Sequence, residues 1–353
     1  MNPSFASRLT DHEAAPLVVA ELSGNHNGDR SRFLSLIRAA ATAGADAVKF
    51  QTYTADTITL PVDTDVFRIS TEHPLWGGAR LYDLYEMAHT PWEWHADGFA
   101  LARELGMEAF SSPFDYSAVD LLETLDPPCY KIASMEIVDI PLIRYVAGTG
   151  RPIVMSIGTA NLSEIAEAVD AARSAGANEV VLLQCTSSYP ADPSDANLRT
   201  IPVLREALGV ELGLSDHTLG IGVSVAAVAL GARLIEKHFT LDRADGGVDS
   251  GFSLDPSELE SLVVEVRTAH RALGTSRTVP PPAEAESIRL RRSLYVSRDV
   301  AEGEMVTTEN VRSVRPSGGL PPKELDRVVG RRFSADVLIG TPMSWDLVAP
   351  RDS

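Results

Sequence analysis

Two lysines of this 353-residue chain stand where a lysine is costly: Lys49 in AVKFQTY (47–53) and Lys131 in CYKIASMEI (129–137). Alternation along an extended segment puts Lys49, Gln51 and Tyr53 on one face, opposite Val48 and Phe50, and it turns Lys131 away from Tyr130 and Ile132. Both ammoniums then point into a packed interior, which is unfavourable unless an anion meets them. That anion is either a bound phosphate or carboxylate, or an Asp or Glu of the same interior. Ser111, Ser112, Ser134, Ser156, Thr186, Ser187 and Ser215 fall at or just past the ends of similar segments. One serine there is ordinary turn chemistry; together they make a set of hydrogen-bond donors suited to phosphate oxygens.

His217 and His238 close the segments ELGLSDH (211–217) and RLIEKHF (233–239), beside Asp216 and Glu236. On adjacent strands, ~4.8 Å apart, both imidazoles can reach one divalent ion and leave coordination positions for water and substrate oxygens. Glu21, inward with Val19, and Glu136, just past Ser134, are candidate proton-transfer groups. For Glu21 the alternative is an ion pair with Lys49 or Lys131. His26, within Asn25–Gly28, either joins this chemistry or only shapes its turn.

These residues need a frame that gathers them. Four more segments of the same kind, VVAELSGNHNG (18–28), MEAFSSPFD (107–115), PIVMSIGTA (152–160) and VVLLQCTSSYP (180–190), bring the number to eight. Helical stretches are predicted near 31–43, 92–105, 116–125, 139–148, 161–175, 197–208, 219–231 and 256–273. Asn161–Glu164 and Asp255–Glu258 read as helix starts. Eight alternations predict an α/β fold, a (β/α)8 TIM barrel over 16–273, after an N-terminal extension, 1–15. In such a barrel the loops after the strands converge on one mouth. Residues 54–90 read as a long loop there, of the kind that shapes selectivity. The proline-rich stretch 274–287 is a linker, and 288–353 a small domain of short strands with paired turns, Ala301–Gly303 and Leu338–Gly340.

Net charge is −18; residues from Ala283 on hold 11 basic and 11 acidic groups, so the first 282 carry all of it. Such a surface repels nucleic acid and anionic membranes, leaving local basic groups to draw in an anionic substrate. Cys129 and Cys185 read as buried, unpaired thiols of a reducing compartment. There is no signal-type apolar run at the start, and the most apolar helix, 220–235, is short for a bilayer. A cytoplasmic enzyme is the expectation.

Taken together, AELSGNHNGD, AVKFQTY, SSPFD, YKIASME, CTSSYP, GLSDHT and IEKHF resemble the sialic acid synthase family, over almost the whole chain. The final domain is similar to the antifreeze-like (SAF) domain of that family, with VRPSGGL (314–320) carrying its arginine. Ser23 in AELSGNHNG, the stretch LWGGARLYDLYEMAHTPWEWH (75–95) and SVRPSGGL resemble its pseudaminic acid synthase branch. The resemblance implies condensation of phosphoenolpyruvate with an acylated amino sugar, 2,4-diacetamido-2,4,6-trideoxy-β-L-altrose, with C–O cleavage and release of phosphate. It implies that Lys49, Lys131, Ser112, Ser134, Ser156, Ser187 and Ser215 hold phosphoenolpyruvate. His217 and His238 would hold a divalent metal, Mn²⁺ before Mg²⁺ or Co²⁺. Glu21, Gln51, Tyr189 and Asp249 would face the sugar, and Arg315 would reach over the mouth of the other subunit in a domain-swapped homodimer. Arg315 is otherwise a solvated surface residue. Ser187 departs from the pattern, since neuraminate synthases tend to have asparagine there.

Three rival readings stand beside this one. N-acetylneuraminate and legionaminate synthases share the chemistry. A pyruvate aldolase would use Lys131 as a Schiff base. A non-catalytic protein would use the last domain for ice or glycan binding and the barrel as its scaffold.

Overall fold

The computed structural model describes residues 5–72 and 75–350, so the first four residues of the N-terminal extension, His73 and Pro74 of the long loop, and the last three residues of the C-terminal domain lie outside the described residues. Eight parallel strands close into a barrel in chain order: β1 Leu17–Glu21, β2 Ala47–Thr52, β3 Glu108–Pro113, β4 Tyr130–Ile132, β5 Ile153–Ser156, β6 Val180–Cys185, β7 Glu211–Asp216 and β8 Leu234–His238. The ring is sealed by β1 against β8, with Glu21 opposite His238. Helices follow the strands where predicted. Two of them, Leu162–Ala175 and Pro256–Leu273, begin with reciprocal capping boxes, Asn161 with Glu164 and Asp255 with Glu258.

Strand alternation sorts the barrel into two cores. Val18, Val48, Phe50, Tyr130, Ile132 and Ile235 face outward and pack beneath the helices. Leu17, Val19, Ala47, Phe110, Cys129, Val154, Val181 and Leu234 fill the lower interior. Two residues further along six of the inward faces, the side chains turn polar: Glu21, Lys49, Ser112, Lys131, Ser156 and Glu236 are all buried. Gly213 allows the close strand approach at β7, since a Cβ there would sit 2.4 Å from the Leu234 carbonyl oxygen.

The N-terminal extension is not a loose arm. Its helix Phe5–Thr10 drives Phe5 and Leu9 into the bottom of the lower core, each worth about 1.5–3 kcal/mol of burial. Arg233 fastens this segment by donating to the carbonyls of Ala14, Arg8 and Asp11. The stretch 54–90 is likewise more structured than a loop, with helices Ala55–Ile58 and Leu81–Ala88 and a bridge from Arg68 to Arg80.

Residues 1–274 and 275–353 form two compact units. The second begins with exposed residues that fold into a turn at Pro282–Glu284 and the short helix Ala285–Arg289 rather than a plain extended spacer. It then pairs β9 Ser293–Val296 with β10 Val311–Val314 in antiparallel fashion. Leu294, Val296, Val306, Val311, Val328 and Phe333 form its core. Among the described residues no helix is long and apolar enough to cross a membrane.

Candidate active site

The upper end of the barrel is a cup of ionic and hydroxyl groups. Lys49 Nζ lies 2.6 Å from Glu21 Oε2 and 3.4 Å from Glu236 Oε1, and Lys131 Nζ lies 3.8 Å from the same Glu236 oxygen. Both lysines are thus paired with interior carboxylates. Fully ionised, the four groups cancel. Burial raises Glu21, further helped by Glu236, despite the nearby lysines. Glu236 goes the other way: burial would raise it, but Lys131, Lys49 and His217 hold it below the usual range. A proton taken up by Glu21 leaves the cup one positive charge in excess. For Lys131 burial outweighs Glu236 and depresses the ammonium. Lys49, though burial opposes it, is raised by Glu21 and Glu236.

The hydroxyls are oriented by what they accept. Ser156 Oγ accepts from Lys131 Nζ at 2.7 Å, Ser112 Oγ from Lys49 Nζ at 3.4 Å and Ser134 Oγ from the Gly158 amide at 3.2 Å. With that acceptor role filled, each O–H is left to donate, the polarity an oxyanion requires. Ser134 and Ser187 come together because residue 158 is glycine. A Cβ at that position would lie 2.9 Å and 2.5 Å from their Oγ atoms. Ser215 Oγ donates to Glu236 Oε1 at 3.2 Å.

Beside this cup the rings of His217 and His238 have centroids 5.2 Å apart. An ion ~2.1 Å from one nitrogen of each ring demands a centroid spacing of roughly 5 Å. The His217 Nδ1 lies 2.9 Å from the Thr186 carbonyl, which fixes the ring and turns Nε2 to the site. Though burial opposes it, Cys185 and that carbonyl raise this imidazole, so a metal there would take the place of the Nε2 proton. His238 Nδ1 is buried with no hydrogen-bond partner, and burial, then His217 and the lysines, push that imidazole well down towards its neutral form. The pair therefore fits a divalent ion. Among the described residues no group of three or more His, Cys, Asp or Glu side chains is arranged to hold one, so the remaining ligands would be water and substrate. Asp216 is no candidate: it faces outward and is held by Lys237 at 3.0 Å and by Ser224 and Thr218.

One cavity of about 550 Å³ joins the cup to the outer mouth, lined by Gln51, Ser134, Glu136, Ser187, Tyr189, His238 and Asp249 among others. Glu21 Oε1 accepts from Gln51 Nε2 at 3.2 Å and from the Ser23 amide at 3.0 Å. Ser23 Oγ donates to Asp249. Ser23 has φ of 45°, a left-handed conformation that costs a non-glycine residue ~1 kcal/mol and is held here by that network. Tyr189 packs against His217 with centroids 4.4 Å apart and the ring planes tilted by 47°. Glu136 sits on the 3₁₀ turn Ser134–Val138, and its Oε2 has no hydrogen-bond partner. Burial pushes its carboxyl up to about 7, against the pull of Lys131.

Several sequence readings change in detail. Ser111 faces outward and bonds Thr52, which bonds His95 in turn, and Thr186 donates to the Asp195 carbonyl; neither belongs to the cup. His26 is wedged between Phe33 and Trp94 with Nε2 3.2 Å from Thr90 Oγ1, a turn-shaping role. The sequence marks Glu236 only as a neighbour of the histidines and Ser23 only as part of a motif, neither with a role in the cup. The alternation Leu234, Glu236, His238 could have found the first; nothing local marks the second. Arg315 belongs to the other unit, exposed just past β10. Cys129 and Cys185 are buried free thiols.

The pattern of the NeuB family matches residues 36–278 and that of the SAF domain residues 291–349. The chain is 44% identical to the pseudaminic acid synthase of Campylobacter jejuni subsp. jejuni serotype O:2, over 92% of this chain and 94% of that protein. It is 36% identical to the N,N'-diacetyllegionaminic acid synthase of Legionella pneumophila, over 93% of each. Among solved structures, the N-acetylneuraminic acid synthetase of Leptospira borgpetersenii in complex with citrate is 33% identical, with a TM-score of 0.68 over 78% of this chain and 91% of that one. The chain belongs to the NeuB family, the phosphoenolpyruvate-dependent sialic acid synthases, and carries a C-terminal SAF domain.

Proposed function

We propose that this protein condenses phosphoenolpyruvate with 2,4-diacetamido-2,4,6-trideoxy-β-L-altrose, giving pseudaminic acid and inorganic phosphate. The observation that carries the reading is the convergence, in one barrel mouth, of two buried lysines with outward-donating hydroxyls and two facing imidazoles. Greater similarity to a pseudaminic than to a legionaminic acid synthase supports the choice of sugar.

Lys49 and Lys131 hold the carboxylate and phosphate of phosphoenolpyruvate, with Ser112, Ser134, Ser156 and Ser187 donating to its oxygens and Ser215 joining them on exchanging its bond to Glu236 for one to the ligand. Gln51, Asp249, Tyr189 and Glu21 orient the open-chain sugar. The C3 carbon of phosphoenolpyruvate attacks the aldehyde carbon, and Glu136, near neutrality in pKa, gives a proton to the new alkoxide oxygen. Water adds to C2, returning one proton to Glu136, and the tetrahedral carbon expels phosphate by C–O cleavage as its hydroxyl proton leaves with the phosphate and the C2 carbonyl forms. His217 and His238 would hold a divalent metal, Mn²⁺ by preference, which when bound supplies carbonyl polarisation and an ordered water. The hydroxyls and ammoniums steady charge that grows on the departing phosphate. Arg315 would complete the sugar site from the partner subunit of a domain-swapped dimer.

A phosphate-release assay with the altrose, glucose and mannose forms of the diacetamido sugar and with N-acetylmannosamine tests the reading. Release with the altrose form above all others is expected. Preference for another sugar transfers the assignment to a sister synthase.

A further inference from the structure

The helix Leu81–Ala88 carries Leu81, Leu84, Tyr85 and Ala88 at i, i+3, i+4 and i+7, the spacing of a single apolar face. Such a stripe ordinarily covers a core. Here no residue of the helix is buried, and all four stripe residues line the cavity that also holds Glu136 and His238. Ile58 and Ile69 of the same inserted segment extend the apolar wall.

The helix is set in place by its ends and edges rather than by a core. Tyr85 meets Tyr53 edge-on at 5.7 Å, Tyr82 bonds Asp56 at 3.1 Å, and Thr90, just beyond, is tied to His26. Gly24 lets the first βα loop approach, since a Cβ there would lie 3.1 Å from the Ala88 carbonyl oxygen.

The cavity is therefore two-sided. Its polar partners Ser23, Gln51, Glu136 and His238 sit at or just past barrel strand ends and Asp249 in the loop after β8, while the inserted helix contributes carbon apart from the Tyr85 hydroxyl. An acceptor that fits has oxygens near the imidazoles and a deoxygenated group where it meets the helix. We propose that the stripe Leu81, Leu84, Tyr85 and Ala88 is the specificity surface for an acceptor lacking a hydroxyl at the carbon most remote from its aldehyde, and that it rejects the hydroxymethyl counterpart. The inference rests on the proposed reaction. A hydroxyl pressed against Leu81, Leu84 and Ala88 loses water and gains no partner there.

The test compares kcat/KM for two 2,4-diacetamido hexoses of identical stereochemistry, one 6-deoxy and one bearing the 6-hydroxyl, at saturating phosphoenolpyruvate. Wild type should favour the deoxy sugar by roughly 10- to 100-fold, the range an apolar pocket achieves against an added hydroxyl. Leu84→Asn should narrow that ratio about tenfold, chiefly by improving use of the hydroxylated sugar, while Leu84→Met keeps it. Equal use of both sugars by wild type overturns the specificity surface and leaves the proposed reaction standing, as does an unchanged ratio in Leu84→Asn. Turnover of neither sugar overturns both.

Discussion

Replacing Glu136 with glutamine separates its chemical role from its cost to stability. The carboxyl is raised from its ordinary 4.5 to about 7, first by burial. Because the folded value lies above the unfolded one, the native state holds the proton more tightly. The associated stability is present in full below pH 4.5 and is lost as pH rises through about 7. At 1.36 kcal/mol per pKa unit the gap is worth about 3 kcal/mol, and partial opening to the cavity lowers this to about 1–3 kcal/mol. Glutamine stays neutral throughout. In urea melts of the full chain, Glu136→Gln should gain about 1–3 kcal/mol at pH 8 and roughly nothing at pH 4.5. Turnover at pH 8 should fall by about 10²–10⁴ if the group transfers a proton. A gain over wild type that is the same at both pH values, or a variant as active as wild type, would refute the reasoning.

Alanine at either His217 or His238 should abolish metal-dependent turnover and weaken Mn²⁺ binding in calorimetry; a variant that binds and turns over normally removes the two-imidazole site. ¹⁸O in the bridging oxygen of phosphoenolpyruvate should emerge in phosphate, and label in the keto acid would contradict C–O cleavage. Borohydride with pyruvate should trap nothing on Lys131, despite its depressed ammonium, whereas a stable adduct would favour the aldolase reading. Arg315→Ala should raise KM for the sugar with little change for phosphoenolpyruvate, and unchanged sugar kinetics would make Arg315 a surface residue.

The barrel was legible because its strands obey a period of two and its helices are long enough to show theirs. The same alternation placed Lys131 inward, between Tyr130 and Ile132, and of the two kinds of partner considered the structure shows the interior carboxylates, Glu21 and Glu236. What escaped depends on register or on contacts far along the chain. Ser111 and Ser112 are adjacent, and only the pairing of Gln51 with Ser112 shows which one looks inward. Ser23 matters through Asp249, more than two hundred residues away. The helix Leu81–Ala88 is eight residues long inside a long insertion, too short for its stripe to stand out. Phe5 and Leu9, spaced by one helical turn in a six-residue helix, close the barrel floor from a segment that read as an extension.

A crystal soaked with phosphoenolpyruvate and Mn²⁺ bears most directly on the cup. The expected density has the phosphate and carboxylate among Lys49, Lys131, Ser134, Ser156 and Ser215, with an anomalous manganese peak between His217 and His238. Phosphoenolpyruvate bound elsewhere, with the Glu21–Lys49 and Glu236–Lys131 pairs undisturbed and no metal between the imidazoles, would contradict it.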